Sequence, residues 1–272
     1  MNGAENGQMS FWAHLDVLRG ALIRIAIATA VLAVVAFCFK DILFDIVLAP
    51  KESGFITYRI FNRVSAMMGQ PPATFSVELI NTGLAQQFII HMKTALCMAL
   101  LLVAPYILYE AFRFVQPALY DRELRYASRL VGSGYLMFMT GVGVSYFLIF
   151  PLTFRFLGTY QVEGSVANMI TLESYMSTLI TMSMMLGVMF ELPVILWIGA
   201  KMGVVSAGWL RKFRKHAIVA ILIAAAVVTP TSDIFTLLIT SLPVYLLYEM
   251  SIVIVSGRGA REWGAERGAR GA

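Results

Sequence analysis

Charge is what this 272-residue chain has least of. Only 14% of its residues are Asp, Glu, Lys or Arg, whereas 59% are hydrophobic; soluble domains carry about 25% charged residues. The apolar excess is gathered in long runs, which excludes an ordinary soluble protein. Cysteine is nearly absent. Cys38 ("AFCFKD") and Cys97 ("TALCMAL") stand in separate apolar runs, so they are expected to be buried packing residues, not a disulfide or a metal pair. The three histidines, His14, His91 and His216, lack ligand spacing, and no metal site is expected.

Catalytic motifs are missing as well. There is no H-E-x-x-H, nucleophile elbow, P-loop or Gly-rich dinucleotide fingerprint, so no catalytic residue and no cofactor is assigned. The nearest approach to an intramembrane serine protease is Gly132-Ser133-Gly134, but Val131 stands where a further glycine is needed. The only later histidine, His216, lies at a membrane edge. A small-residue packing face explains these glycines better. The net charge of +5 reads as basic loops of a membrane protein, not as a nucleic-acid surface.

What the sequence does have is membrane spans. A helix needs about 20 residues to cross a hydrocarbon core of about 30 Å. Runs at 21–39, 88–108, 130–150, 176–199 and 234–255 qualify, with "AIVAILIAAAVV" at 217–228 as a short sixth. Those twelve residues reach only about 18 Å, so the run is either re-entrant or a true span in a thinned membrane. Counted as a span, it leaves fifteen of the 21 basic residues on the inner segments and five on the outer loops. That distribution favours both termini inside.

The expected fold is therefore all-α with six transmembrane helices. Residues 1–20 form a cytoplasmic segment, 21–255 the membrane domain, and 256–272 a disordered Gly/Ala/Arg-rich tail. Residues 40–84 read as an extramembrane loop with one or two short amphipathic helices. Arg24, near the start of the first span, is expected to snorkel outward. The polar start "MNGAENGQMS" lacks a basic n-region, so the first apolar run is expected to remain as a span.

Against this background a few charges stand out. Lys93, Glu191 ("GVMFELPVILW") and Glu249 fall in or near spans, and the cytoplasmic loop 109–129 interleaves Glu110, Asp121 and Glu123 with four arginines. Phe114, Val115, Pro117, Leu119 and Tyr120 of that loop offer an apolar platform at the membrane edge. A carboxylate beside such a platform suits a guanidinium, which it can accept with both oxygens. Glu191 has two readings: a bundle-stabilising group with Lys93 as its candidate partner, or the mark of a functional path. Pro193 frees the carbonyl of Met189 and can bend the helix at that level. The competing function is a secondary transporter relaying ions through Glu191 and Lys93, although no internal repeat supports it.

The motifs resemble the TatC family, the multispan receptor subunits of the bacterial twin-arginine translocase. The resemblance is carried by "HLDVLR", "APYILYEAFRFVQPALYDRE", "YFLIFPLTFRFL", "FELPV", "LRKFRKHAIV" and "TPTSD", in family order over about residues 10–257. It implies a six-helix, cup-shaped protein of the cytoplasmic (inner) membrane without enzymatic turnover. Such a protein binds S/T-R-R-x-F-L-K signal peptides of folded cargo and works in a multi-subunit complex with single-span TatA and TatB partners, driven by the proton-motive force.

Carried over, the family's loop glutamate falls on Glu123, with Phe114, Pro117, Leu119 and Tyr120 around it; Arg19 and Asp16 belong to the N-terminal motif. That motif departs from the family's His-Leu-x-Glu-Leu-Arg: Val17 holds the glutamate position and the acid stands one residue earlier, turned about 100° on a helix. Either Asp16 replaces the glutamate from a shifted angle or the site relies mainly on Glu123. "YDREL" also departs, with Leu124 where many relatives have arginine. The resemblance further implies that Glu191 faces a groove for lipid and partner helices, that Lys93 matches a lysine of the outer second span, and that Pro50 and Asp233 belong to outer motifs. For Asp233 a helix-capping role is the simpler expectation.

Overall fold

The computed structural model describes residues 11–69, 77–115, 127–160, 168–229 and 233–270. Helices α1 (Phe11–Cys38) and α4 (Gln86–Val115) pack against each other. They run antiparallel, because the Phe37 and His91 rings stack at 3.9 Å near one end while Arg24 meets Glu110 near the other. Between them come α2 (Lys40–Leu48), a 3-10 turn at Ala49–Lys51, α3 (Ile56–Met67) and the two-residue strand β1 (Leu79–Ile80).

The chain resumes with α5 (Ala127–Val144), which continues through a π turn at Ser145–Ile149 into α6 (Phe150–Thr159). Strand β2 (Ile170–Thr171) pairs in parallel with β1, Leu79 opposite Ile170. Helix α7 (Leu172–Met189) starts directly after it, capped by the Thr171 hydroxyl, which accepts from the Ser174 N–H at 3.2 Å. Then follow α8 (Leu192–Lys201), α9 (Ala207–Lys212), α10 (Arg214–Val228) and α11 (Ile234–Arg270). Apart from the β1–β2 pair the regular elements among the described residues are helices, and two residues are too few to show the period-2 alternation that betrays a strand.

Among the described residues two main apolar cores hold the helices together, beside a small third one of Ala36, Leu43 and Ala95. Phe150, Tyr175, Met182 and Leu186 fill the larger one, around α6 and α7. Leu210, Ile221, Val244 and Tyr248 fill the smaller, where α9, α10 and α11 meet. Lipid tails give little hydrophobic drive for helix pairing, so close approach matters. It is closest where α5 crosses α7: a Cβ added at Gly141 would lie 2.7 Å from the Leu186 carbonyl oxygen.

The loop at 40–84 is tied down by phenols. Tyr58, 2% exposed, donates to the carbonyls of Pro50 (2.9 Å) and Pro151 (3.1 Å). Tyr175 reaches the Val47 carbonyl at 3.0 Å. Burial holds the Tyr58 phenol well above its ordinary pKa.

Among the described residues five helical stretches are long and apolar enough to cross a membrane: Leu15–Cys38, Gln86–Phe114, Leu130–Thr159, Leu172–Lys201 and Ile234–Ser256. The expected short sixth span corresponds to α10, whose 15 residues reach about 22 Å. Several expectations need correction. The loop expected to begin at 109 is helical up to Val115, because nothing in "YEAFRFV" breaks a helix before Pro117. The third span runs on from 150 to Thr159, since Pro151 enters α6 where it needs no N–H partner. Helix α11 runs on to Arg270, although Gly257, Gly259, Gly264 and Gly268 all weaken a helix there. Cys38 is exposed on the protein surface instead of buried, and Cys97 is only partly covered; both are free thiols.

Candidate functional site

Two places hold charged groups that an apolar bundle would not tolerate without reason. The first is the end where α1 begins and α4 finishes. Arg24 and Glu110, 86 residues apart, form a two-pronged ion pair: Nε donates to Oε1 at 2.9 Å and Nη2 to Oε2 at 2.8 Å. The Tyr106 hydroxyl adds a third hydrogen bond to Oε1 at 2.9 Å. Glu110 is 4% exposed, so its carboxylate is fully used. Arg24 therefore does not simply snorkel outward. It is drawn sideways to a buried carboxylate, which a planar guanidinium matches in both oxygens.

The pair fixes which chain ends meet. Asp16 and Arg19 lie one to two turns before Arg24 on α1, and both are exposed. Phe114 lies one turn after Glu110 on α4 and is partly buried. The two stretches therefore lie at the same end of the antiparallel pair. Pro117, Leu119, Tyr120 and Glu123 lie outside the described residues, in the segment joining α4 to α5. Spacing within one helix cannot reveal a partner 86 positions away; the hint was a base just inside the first span and an acid just past the end of the second.

The second place is the break between α7 and α8. Glu191 sits in the two-residue link, its N–H bonded to the Val188 carbonyl at 3.1 Å and its own carbonyl accepting from Ile195 at 2.9 Å. Pro193 follows at the start of α8 and cannot supply an N–H to Met189, so the helix interrupts here. The residue is 7% exposed, and its Oε1 has no hydrogen-bond partner among the described residues. It occupies space left by a glycine: a Cβ on Gly134 would lie 3.2 Å from Glu191 Oε2. The glycines expected to form a packing face thus differ, since Gly134 admits the carboxylate whereas Gly132 faces open space.

Lys93 is not the partner of Glu191. Its ammonium lies 3.8 Å from Glu173 Oε1, both side chains about half exposed. Glu173 is at the opposite end of α7 from Glu191, 18 residues or roughly 27 Å along the helix. This separation also removes the Glu191–Lys93 relay on which the transporter alternative depended. Glu249 is paired, accepting from Arg214 at 2.7 Å and from the Tyr245 hydroxyl at 3.1 Å.

The outer-motif residues are architectural in their contacts. Pro50 is buried, with its carbonyl on Tyr58. Asp233 caps α11, Oδ2 accepting from the Thr236 N–H at 2.7 Å. Among the described residues no three His, Cys, Asp or Glu side chains gather as a metal site would require.

Several helices long and apolar enough to cross a membrane, with a buried carboxylate at a helix break, mark a multi-pass membrane protein that keeps charge in its interior for a functional purpose. The chain is a member of the family of the Sec-independent protein translocase protein TatC, whose model matches residues 13–243. It is 34% identical over 263 residues to the protein of that name from Desulforapulum autotrophicum, covering 97% of this chain and 88% of that one. It is 30% identical over 256 residues to the Blattabacterium protein of the same name, covering 92% and 96%. A crystal structure of the twin-arginine translocase receptor TatC in DDM superposes with a TM-score of 0.74 at 30% identity, covering 89% of this chain and 99% of that one. The chain is thus a TatC subunit of a Sec-independent protein translocase, a component of a complex.

Proposed function

We propose that this chain is the receptor of that translocase: it binds the twin-arginine signal peptides of folded cargo and organises single-span TatA- and TatB-type partners in the cytoplasmic membrane. In this reading α10 is the sixth span, both termini are cytoplasmic, the bundle is cup-shaped, and export draws on the proton-motive force. One observation carries the reading: the Arg24–Glu110 clamp sets the start of α1 and the end of α4 side by side. Asp16 and Arg19 then border the segment holding Pro117, Leu119, Tyr120 and Glu123. Because Arg24 already occupies Glu110, this reading assigns the two incoming guanidinium groups to Glu123 and Asp16 instead.

A hydrogen bond to a charged group contributes about 1.5–3 kcal/mol. Glu123→Ala should therefore weaken signal-peptide binding about ten- to hundredfold. The test is photo-crosslinking of a twin-arginine peptide, with a twin-lysine peptide as control, to the parent, Asp16→Ala and Glu123→Ala. Undiminished crosslinking to Glu123→Ala would sink the site.

Glu191 is the second functional group in this proposal. An unpaired carboxyl at a helix break, close to a helix of only about 22 Å, suits local thinning of the bilayer and docking of a polar group on a partner helix. Loss of partner co-purification in Glu191→Gln is the expected result, and intact assembly and transport would refute the docking role.

A further inference from the structure

Between α8 and α10 lies an apolar cleft of about 530 Å³, floored by Val244 and Tyr248 of α11. That volume is within the roughly 300–1,000 Å³ of small-ligand sites. From His216 at its mouth to Ala224 the cleft follows α10 for eight residues, about 12 Å. Its walls are hydrocarbon, and the polar groups of Tyr248 are spent elsewhere, the hydroxyl donating to the Leu210 carbonyl at 2.8 Å.

The mouth has a different chemistry. Trp209, half exposed, packs on Phe213 at 4.5 Å between ring centroids, and Phe213 lies 5.3 Å from His216. Aromatic rings of this kind settle at the headgroup level of a bilayer. Four cations crowd the same turn of chain. Arg211 is engaged with Ser256 at 2.8 Å and Arg214 with Glu249 at 2.7 Å. Lys212 and Lys215 are exposed and have no carboxylate partner among the described residues.

We propose that this cleft binds an anionic phospholipid, one acyl chain lying along α10 and the phosphate held by Lys212 and Lys215. Charge complementarity selects this occupant. A partner's apolar helix would use the walls but gain nothing from two spare ammonium groups, whereas basic pockets between helices on the cytoplasmic side suit anionic headgroups. A lipid fixed here would also cover the flank of α10. The proposal rests on the orientation proposed above, which puts the α9–α10 turn in the cytoplasm, but not on the signal-peptide contacts, so loss of lipid selectivity and loss of peptide crosslinking are separate outcomes.

The full chain is purified in detergent and titrated with phosphatidylglycerol or phosphatidylcholine of matched chains, with bound lipid counted by native mass spectrometry. Phosphatidylglycerol should be retained preferentially. Lys212→Gln and Lys215→Gln should each weaken it about fivefold, the equivalent of about 1 kcal/mol per lysine, and leave phosphatidylcholine unchanged. Ala220→Phe, which fills the cleft, should weaken both lipids. The lysine variants are surface changes, so they decide the matter even if the filled variant does not fold. Equal retention of the two lipids, or lysine variants that hold phosphatidylglycerol as the parent does, would overturn the proposal. So would a photo-crosslinker at Ala224 that captures another protein, instead of lipid, in native membranes.

Discussion

The crossing of α5 and α7 allows a sharp test of the packing, because one substitution hits backbone. In Gly141→Ala the new methyl would lie 2.7 Å from the Leu186 carbonyl oxygen and 2.8 Å from Phe190 Cβ and Cγ. Ordinary carbon contacts fall at about 3.5–4.0 Å, so the helices must part by several tenths of an ångström or more. The Leu186 carbonyl cannot swing aside freely, because it accepts from the Phe190 N–H at 2.9 Å, the last full turn before the Glu191 break. Overpacking of this kind costs about 1–3 kcal/mol, and the better helix propensity of alanine returns about 0.5–1 kcal/mol. The net expectation is a loss of up to about 2.5 kcal/mol.

Gly143 is the internal control, since a Cβ there meets nothing within 4 Å. Gly143→Ala should be neutral or gain about 0.5–1 kcal/mol. Gly187→Ala should fall between the two, because its clashes at 2.8–2.9 Å are with the side chains of Phe138 and Val142, which can rotate. Unfolding in mixed micelles, with SDS as denaturant and far-UV circular dichroism as readout, ranks all three. A Gly141→Ala protein as stable as Gly143→Ala would refute the close-approach argument.

Three further outcomes are expected. Glu191→Leu removes a buried oxygen that has no partner, so the fold should be at least as stable in the same assay while partner co-purification is lost; a destabilised fold would mean that the carboxyl has a structural role. Tyr58→Phe leaves the carbonyls of Pro50 and Pro151 without their donor and should cost about 1 kcal/mol. Because burial raises the Tyr58 phenol above its unfolded value of about 10, its stabilisation is complete below about pH 10 and fades as pH rises further. Thermal melts across that range should therefore fall less steeply for Tyr58→Phe than for the parent. Arg24→Glu and Glu110→Arg should each reduce twin-arginine peptide crosslinking, and the double exchange should restore much of it; failure of the double variant to recover would show that the clamp is not what aligns the two ends.

Hydropathy made the long spans and the interruption by Pro193 legible, because both depend on local chemistry. Helix ends were less so. The extension of α4 to Val115 follows from the lack of a helix breaker before Pro117, which hydropathy does not report. Pairings across helices were hidden for a different reason. Whether Lys93 meets Glu173 or Glu191 depends on which end of α7 stands beside α4, and no period in either segment encodes that. The Arg24–Glu110 clamp was hidden in the same way, although both residues were visible as charges at span edges. Glu123 and its neighbours were read from resemblance, and the described residues fix only the helix ends on either side of them.

The interrupted rod formed by α7 and α8 has a mechanical consequence. Its first half bears on α5, and its second half bears on α11. A tilt applied to α11 therefore carries the second half along, whereas the first half stays braced, and the strain is taken up in the two-residue joint that contains Glu191. The carboxyl sits at the pivot of a lever.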